Sequence, residues 1–312
     1  MSIPFDGIPL LDQVTMFKEM EDLGYSDLWS AESNGTDGFT PLALASQVVP
    51  TMHLGTTVIP AFTRGPGLMA MSVATLAELA PGRFSFGIGS SSNIIVDNWN
   101  SVPFDEPYRK VRDMVRFLKV ALTGEKVDHV FDTFSVRGFR LARPLPVQPQ
   151  ILVGALRPGM LHLAAKEADG AVINWLSAED VKQVVREIGP GKEVVARIFV
   201  CPSKDAELVR KLGRLAIAAY LNVPVYAAFH RWLGRTLELE PMWEAWEAGD
   251  RKGAARLIPD SVVDSLIVHG SPDKCREHIL RYVENGVTVP IIGLLPFSID
   301  TKTAISELAP RG

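Results

Sequence analysis

Short, nearly continuous apolar runs ending in small polar loops recur along the chain: SDLWSAE (26–32), HLGTTVIP (53–60), FSFGIGS (84–90), QILVGAL (150–156), GAVIN (170–174), EVVARIFVCP (193–202) and VPIIGLLPF (289–297), with IPF near the start as an eighth. Between them lie stretches of helical periodicity. In LLDQVTMFKEMEDLGY, Leu10, Val14, Phe17 and Leu23 form one apolar stripe and Gly24 is placed to end the helix. Strands with so little polar alternation are buried on both faces, and strands joined through helices run parallel. The pattern predicts a parallel sheet covered by helices. Eight such units close a (β/α)8 TIM barrel, for which about 250 residues is typical; an open doubly wound sheet is the competing arrangement.

A chain of 312 residues leaves roughly 60 beyond such a barrel, and these must sit in insertions. Two stretches fit. Residues 124–150, GEKVDHVFDTFSVRGFRLARPLPVQPQ, are hairpin-like and Pro-rich at their end, and residues 204–262 are long and helical. No low-complexity linker divides the chain, so residues 1–312 are expected to form one domain.

The net charge is -4 and the basic residues are spread along the chain, which excludes the electrostatic footprint of a nucleic-acid binder. Cys201 and Cys275 are the only cysteines and the six histidines form no HExxH or HxxxH pair, so no metal site is expected. The N-terminus lacks a basic flank and an apolar core, and no run of about 18 apolar residues occurs. A cytoplasmic protein with no membrane partner is expected.

In a barrel the chemistry lies at the C-terminal ends of the strands. The residues there are Glu32 and Ser33, Thr57 and Val58, Gly89 to Asn93, Arg157 to Gly159, and Asn174 with Trp175. They are small and polar, and no Ser/His/Asp or Cys/His arrangement declares itself among them. Such a site suits a cofactor that carries the difficult chemistry. GIGSSSN starts like a dinucleotide fingerprint, but Ser92 stands where the third glycine belongs. In ILVGALRPGM, Pro158 sits at a first helical position, so the free amides of that helix start, with Arg157 beside them, form an attractive place for phosphate.

LGYSDLWSAE, LGTTVIPAFTRGP, PGRFSFGIGSSSNIIVDNWNSVPFDEPYRKVRDMVRFLK, ILVGALRPGMLHLAAKEADGAVIN and GSPDKCREHILRYVENGVTVPII together resemble the luciferase-like monooxygenase superfamily, and within it the coenzyme F420-dependent oxidoreductases. The likeness runs over nearly the whole chain and is weakest in residues 204–262. It implies a TIM barrel of the luciferase-like type with a deazaflavin across the C-terminal strand ends, and hydride transfer to or from a small organic substrate. By the same resemblance Glu32 approaches the ring and is a weak catalytic candidate. Thr57-Val58 forms a non-prolyl cis peptide behind the ring, Gly89, Ser90 and Ser91 run along it, Leu156, Arg157 and Gly159 take the phosphate, and Asn174 lies beside the pyrimidine edge. A homodimer is implied as well. The alternatives are an FMN-dependent monooxygenase on the same fold and a non-catalytic cofactor-binding protein.

This chain departs from the sugar-phosphate dehydrogenases of that branch, which have a histidine where Ser33 stands and a glutamate where Ser92 stands. The family's WNG reads Trp99-Asn100-Ser101, which removes a glycine's backbone freedom. Arg64 is expected as an anion contact. Trp99 and Trp175 are expected as pocket walls or core. His53 is expected at the opposite barrel end, His162 packed or facing solvent, and His269 either reaching the site or in a loop before a helix capped by Ser271.

Overall fold

A computed structural model describes residues 1–297 and 299–310 of the chain. The strands, in order, are β1 (Ser2–Ile3), β2 (Asp27–Ser30), β3 (His53–Thr56), β4 (Ile59–Pro60), β5 (Phe84–Gly89), β6 (Val127–Val130), β7 (Ser135–Phe139), β8 (Gln150–Gly154), β9 (Gly170–Asn174), β10 (Glu193–Cys201), β11 (Ile267–His269) and β12 (Val289–Leu294). The α-helices are α1 (Leu10–Asp22), α2 (Thr40–Ser46), α3 (Pro66–Leu79), α4 (Pro107–Ala121), α5 (Pro158–Glu167), α6 (Val181–Ile188), α7 (Ala206–Leu221), α8 (Pro224–Trp232), α9 (Thr236–Glu247), α10 (Arg251–Arg256), α11 (Asp260–Leu266), α12 (Pro272–Glu284) and α13 (Thr301–Glu307).

Strands β1, β2, β3, β5, β8, β9, β10 and β12 pair in parallel in that order, and β12 returns beside β1. Strand order follows chain order with no reversal, which rules out the doubly wound alternative, where the first strand would be central. The result is a nearly closed barrel ringed by helices. Trp29, Leu152, Val172, Val195 and Ile291 fill its middle as one cluster, while the intervening residues of the same strands join the larger core beneath the helices.

Several boundaries differ from the sequence reading. The run 53–60 is two strands, because the ladder breaks between Thr56 and Ile59. The first strand is Ser2–Ile3 and not IPF, since Pro4 has no N–H to donate to the ladder. Gly24 follows α1 at φ 88°, as its placement predicts. His53 lies at the N-terminal mouth, where its Nε2 is 2.9 Å from Ser85 Oγ, and Ser85 Oγ donates to Gln150 Oε1 at 3.0 Å.

Within residues 124–150, β6 and β7 form an antiparallel hairpin whose Phe131, Phe134 and Phe139 surround Phe117 of α4. Helices α7 to α11 lie between β10 and β11 and build a second apolar cluster, joined to the barrel by Trp175 and Phe199. Arg235, which precedes α9, clasps this layer to the barrel by an ion pair with Asp180 at 2.7 Å and a hydrogen bond to Ser177 Oγ at 3.2 Å. No single helix among the described residues is long and apolar enough to cross a membrane.

His230 of α8 is wholly buried beneath that clasp. Burial, reinforced by the neighbouring Arg235 charge, lowers its pKa from 6.5 to about 4. The unfolded chain therefore binds a proton at this residue near pH 6.5 while the folded protein refuses it until about pH 4, so stability falls as pH drops through that window. Urea unfolding at pH 7 and pH 5 is expected to show a loss of about 2 kcal/mol from this residue alone, absent in His230→Leu.

Candidate active site

The C-terminal mouth has a floor of glycines. Gly89 of β5 and Gly154 of β8 stand one layer above the apolar middle, and Val58 occupies the volume beside both. A Cβ at Gly89 would meet Val58 Cγ2 at 2.6 Å, and one at Gly154 would meet Val58 Cγ1 at 3.2 Å. The Thr57-Val58 peptide is cis, at the position implied by the family resemblance. Thr56 stitches the break below it: its Oγ1 accepts from Gly87 N at 2.8 Å and donates to Gly87 O at 3.0 Å. The floor here is backbone and one valine.

Glu32 does not stand free. Its carboxylate takes both Arg64 terminal nitrogens at 2.7 Å, and accepts from Gly38 N at 3.1 Å and Thr63 Oγ1 at 3.4 Å. Exposure of the two side chains is 14% for Glu32 and 16% for Arg64, and the guanidinium also lies 5.0 Å from the Phe39 ring centroid. Arg64, expected as an anion contact, is thus already paired. The partners come from the loops after β2 and β4, so the ion pair staples adjacent sectors of the rim.

The serine loop after β5 enters a π-helical turn, Ile94–Trp99. Ser90 and Ser91 are half-buried, Ser91 adopts φ 65°, and Ser92 Oγ accepts from Ile95 N at 3.4 Å. The third serine is therefore used locally as a cap. Ser101 adopts φ 53°, so the chain keeps the left-handed turn even though glycine is absent. Trp99 is 53% exposed, whereas Trp175 is buried, with its ring tilted against Phe199 at 4.0 Å and Tyr220 at 5.0 Å between centroids.

Arg157 is the extended N-cap of α5, with Pro158 at the first turn and no side chain capping the end. A Cβ at Gly159 would meet nothing within 4 Å. Leu156, Arg157 and Gly159 hence surround an open helix N-terminus beside the glycine floor. On the other flank, Asn174 exchanges hydrogen bonds with the Tyr226 hydroxyl at 3.2 and 3.3 Å. Burial raises the Tyr226 pKa, opposed by the bond to Asn174. His162 pairs with Glu187 at 2.7 Å on the surface; His269 is not in a loop but ends β11, in register with Cys201 at the C-terminal end of β10, and pairs with Asp264 at 2.9 Å; Ser271 caps α12 as expected.

Sequence reasoning missed Arg197, Tyr220, Tyr226 and Phe199. Arg197 pairs in register with Asn174 and Ile291, which places it in the interior layer of Asn174 at the mouth. A signal was present: EVVARIFVCP is otherwise free of charge after its first residue, and a lone arginine in a strand buried on both faces is rare without a task.

A family model described as luciferase-like monooxygenase matches residues 4–289. Among curated proteins, a 5,10-methylenetetrahydromethanopterin reductase of Archaeoglobus fulgidus is 25% identical over 94% of this chain and 93% of its own length. Among solved structures, the coenzyme F420-dependent tetrahydromethanopterin reductase of Methanopyrus kandleri superposes with a TM-score of 0.81 at 21% identity, covering 99% of this chain and 96% of that one. An F420-dependent secondary alcohol dehydrogenase, solved with an F420-acetone adduct, gives a TM-score of 0.75 at 15% identity over 97% and 94%. The barrel is the luciferase-like type.

Neutralising Glu32 leaves Arg64 with its bidentate partner gone in a largely dry setting. Glu32→Gln is expected to destabilise by about 2 kcal/mol, and a double-mutant cycle with Arg64→Met, read by urea unfolding, is expected to return a coupling of about 1 to 3 kcal/mol.

Proposed function

The chain belongs to the luciferase-like monooxygenase family, and on that premise we propose that it is a coenzyme F420-dependent oxidoreductase that moves a hydride between the deazaflavin and a small organic substrate. The observation that carries this reading is the glycine floor buttressed by Val58. Side chains at 89 or 154 would crowd Val58, so this part of the mouth is lined by backbone and one valine, a surface that suits a planar ring. The open α5 N-terminus nearby suits a phosphate, so the residues present fit the cofactor.

In this reading Thr57, Val58, Gly89, Ser90 and Ser91 support one face and side of the ring, and Asn174 meets its pyrimidine edge. Leu156, Arg157 and Gly159 hold the phosphate. Glu32 reaches the ring region only as half of its ion pair with Arg64, so we assign it to binding and not to proton transfer. The deazaflavin, when bound, supplies the carbon that gives or takes the hydride. The protein's part is position and surroundings: the floor fixes one face, and Trp175, Tyr220 and Tyr226 line the flank where α7 and α8 screen water from the strand ends. A two-fold homodimer is part of the same reading.

Titration of the protein with F420 and with FMN, followed by quenching of tryptophan fluorescence, tests it. F420 is expected to bind with a micromolar or lower Kd and FMN to bind far less tightly. Arg157→Glu is expected to weaken F420 at least about tenfold, roughly 1.4 kcal/mol, through the phosphate. Gly89→Ala is expected to weaken it by displacing Val58 from the floor. FMN binding alone would move the protein to an oxygen-using reaction, and binding of neither would make it non-catalytic.

A further inference from the structure

Arg197 is a cation placed in the barrel interior with no ion-pair partner among the described residues. Among the described residues it makes no hydrogen bond and no ion pair, and its Nε is shielded from solvent without a partner. Its guanidinium carbon lies 5.1 Å from the Phe199 ring centroid, and its Nε is 3.2 Å from where a Cβ on Gly293 would stand. Phe199 and Gly293 are in register with each other, two residues nearer the C-terminal ends than Arg197. The side chain therefore leans toward the mouth along a channel that a glycine leaves clear.

Burial pushes the guanidinium pKa down, opposed by Tyr220, Tyr226 and the Asp6 carboxylate. A charge so placed lowers the stability of the free protein, because desolvation is not offset by a counter-ion. Around it stand the Asn174 amide, the Tyr226 hydroxyl that it bonds, and the tilted Trp175 and Phe199 rings, while the Asp6 carboxylate acts on it through space without forming an ion pair. The site is a cationic socket with an aromatic wall.

We propose that Arg197 receives an anionic oxygen group of the substrate, a carboxylate or phosphate, and thereby fixes the substrate against the floor. This narrows the substrate of the function proposed above to organic anions, and rests on that reading for the word substrate alone. The socket itself is tested without the cofactor.

The experiment compares the wild-type protein with Arg197→Met and Arg197→Lys by thermal unfolding, in buffer alone and with millimolar benzoate, neutral benzamide or inorganic phosphate at fixed ionic strength. Benzoate or phosphate is expected to raise the wild-type Tm by about 2 °C or more, benzamide to leave it unchanged, and Arg197→Met to lose the response while unfolding no lower than wild type in buffer. Arg197→Lys keeps the charge and is expected to retain part of the response. Were Arg197→Met to unfold during purification, the lysine variant and the wild-type contrast between benzoate and benzamide would still decide the matter. No wild-type response to either anion, or an equal response in Arg197→Met, would overturn the proposal. A titration of the same variants with F420 separates the two readings: unchanged F420 affinity assigns the socket to the substrate, whereas a tenfold loss assigns the anion to the cofactor and overturns the substrate assignment.

Discussion

Everything at the mouth depends on close approach of backbones around Val58. The valine fills the volume beside the Cα atoms of Gly89 and Gly154, so β5 and β8 must end in residues without side chains there. The same crowding recurs below and to the side. A Cβ on Gly87 would lie 2.1 Å from Thr56 O, and one on Gly38 would lie 2.4 Å from Ile59 Cδ1. Gly38 is in turn latched by its two backbone groups, its nitrogen donating to Glu32 and its oxygen accepting from the Ser30 hydroxyl. Small residues, a broken strand and a paired carboxylate are one arrangement, in which van der Waals exclusion sets the shape and hydrogen bonds fix the register.

The second layer is held by different forces. Helices α7 to α11 bury their own apolar cluster and meet the barrel through Trp175 and Phe199, while polar ties at Asn174–Tyr226 and Asp180–Arg235 set their position. Polar groups buried at such a joint are costly when unmatched and directional when matched, so they specify alignment more than they add stability. Trp175 accommodates the joint by adopting φ 52° at the end of β9. The aromatic flank of the site is thereby positioned from the barrel side, although most of its surface comes from the insertion.

Much of this was legible in the sequence, for reasons that are local. Apolar runs of strand length between helical periods gave the barrel, Pro158 after Arg157 gave the open helix start, and the Ser271-Pro272 pair gave the cap of α12. Serine in place of glycine at position 101 marked a loop of altered backbone freedom, but its left-handed conformation, φ 53°, shows only in the fold. What stayed hidden depends on pairing between distant segments. Glu32 and Arg64 are 32 residues apart, and nothing in either loop says that they neutralise each other. The choice between a closed barrel and an open sheet rests on strand order, which periodicity does not encode. Arg197 was overlooked because its strand reads as core; only the register with Asn174 shows that it faces inward.

The separation of the two apolar clusters has an implication for descent. Strand-end residues and the α5 start lie in polypeptide contributed by the barrel, whereas Tyr220 and Tyr226 lie in a stretch that leaves after β10 and rejoins before α12. That stretch is tied to the rest by the Trp175–Phe199 contact, by the polar pairs at Asn174–Tyr226 and Asp180–Arg235, and by Phe229, which packs into the barrel's own core. A lineage built this way carries an exchangeable cassette: replacing residues 204 to 266 would change which molecules the chamber admits while the ledge beneath kept its geometry, so selectivity and cofactor use are free to evolve at different speeds.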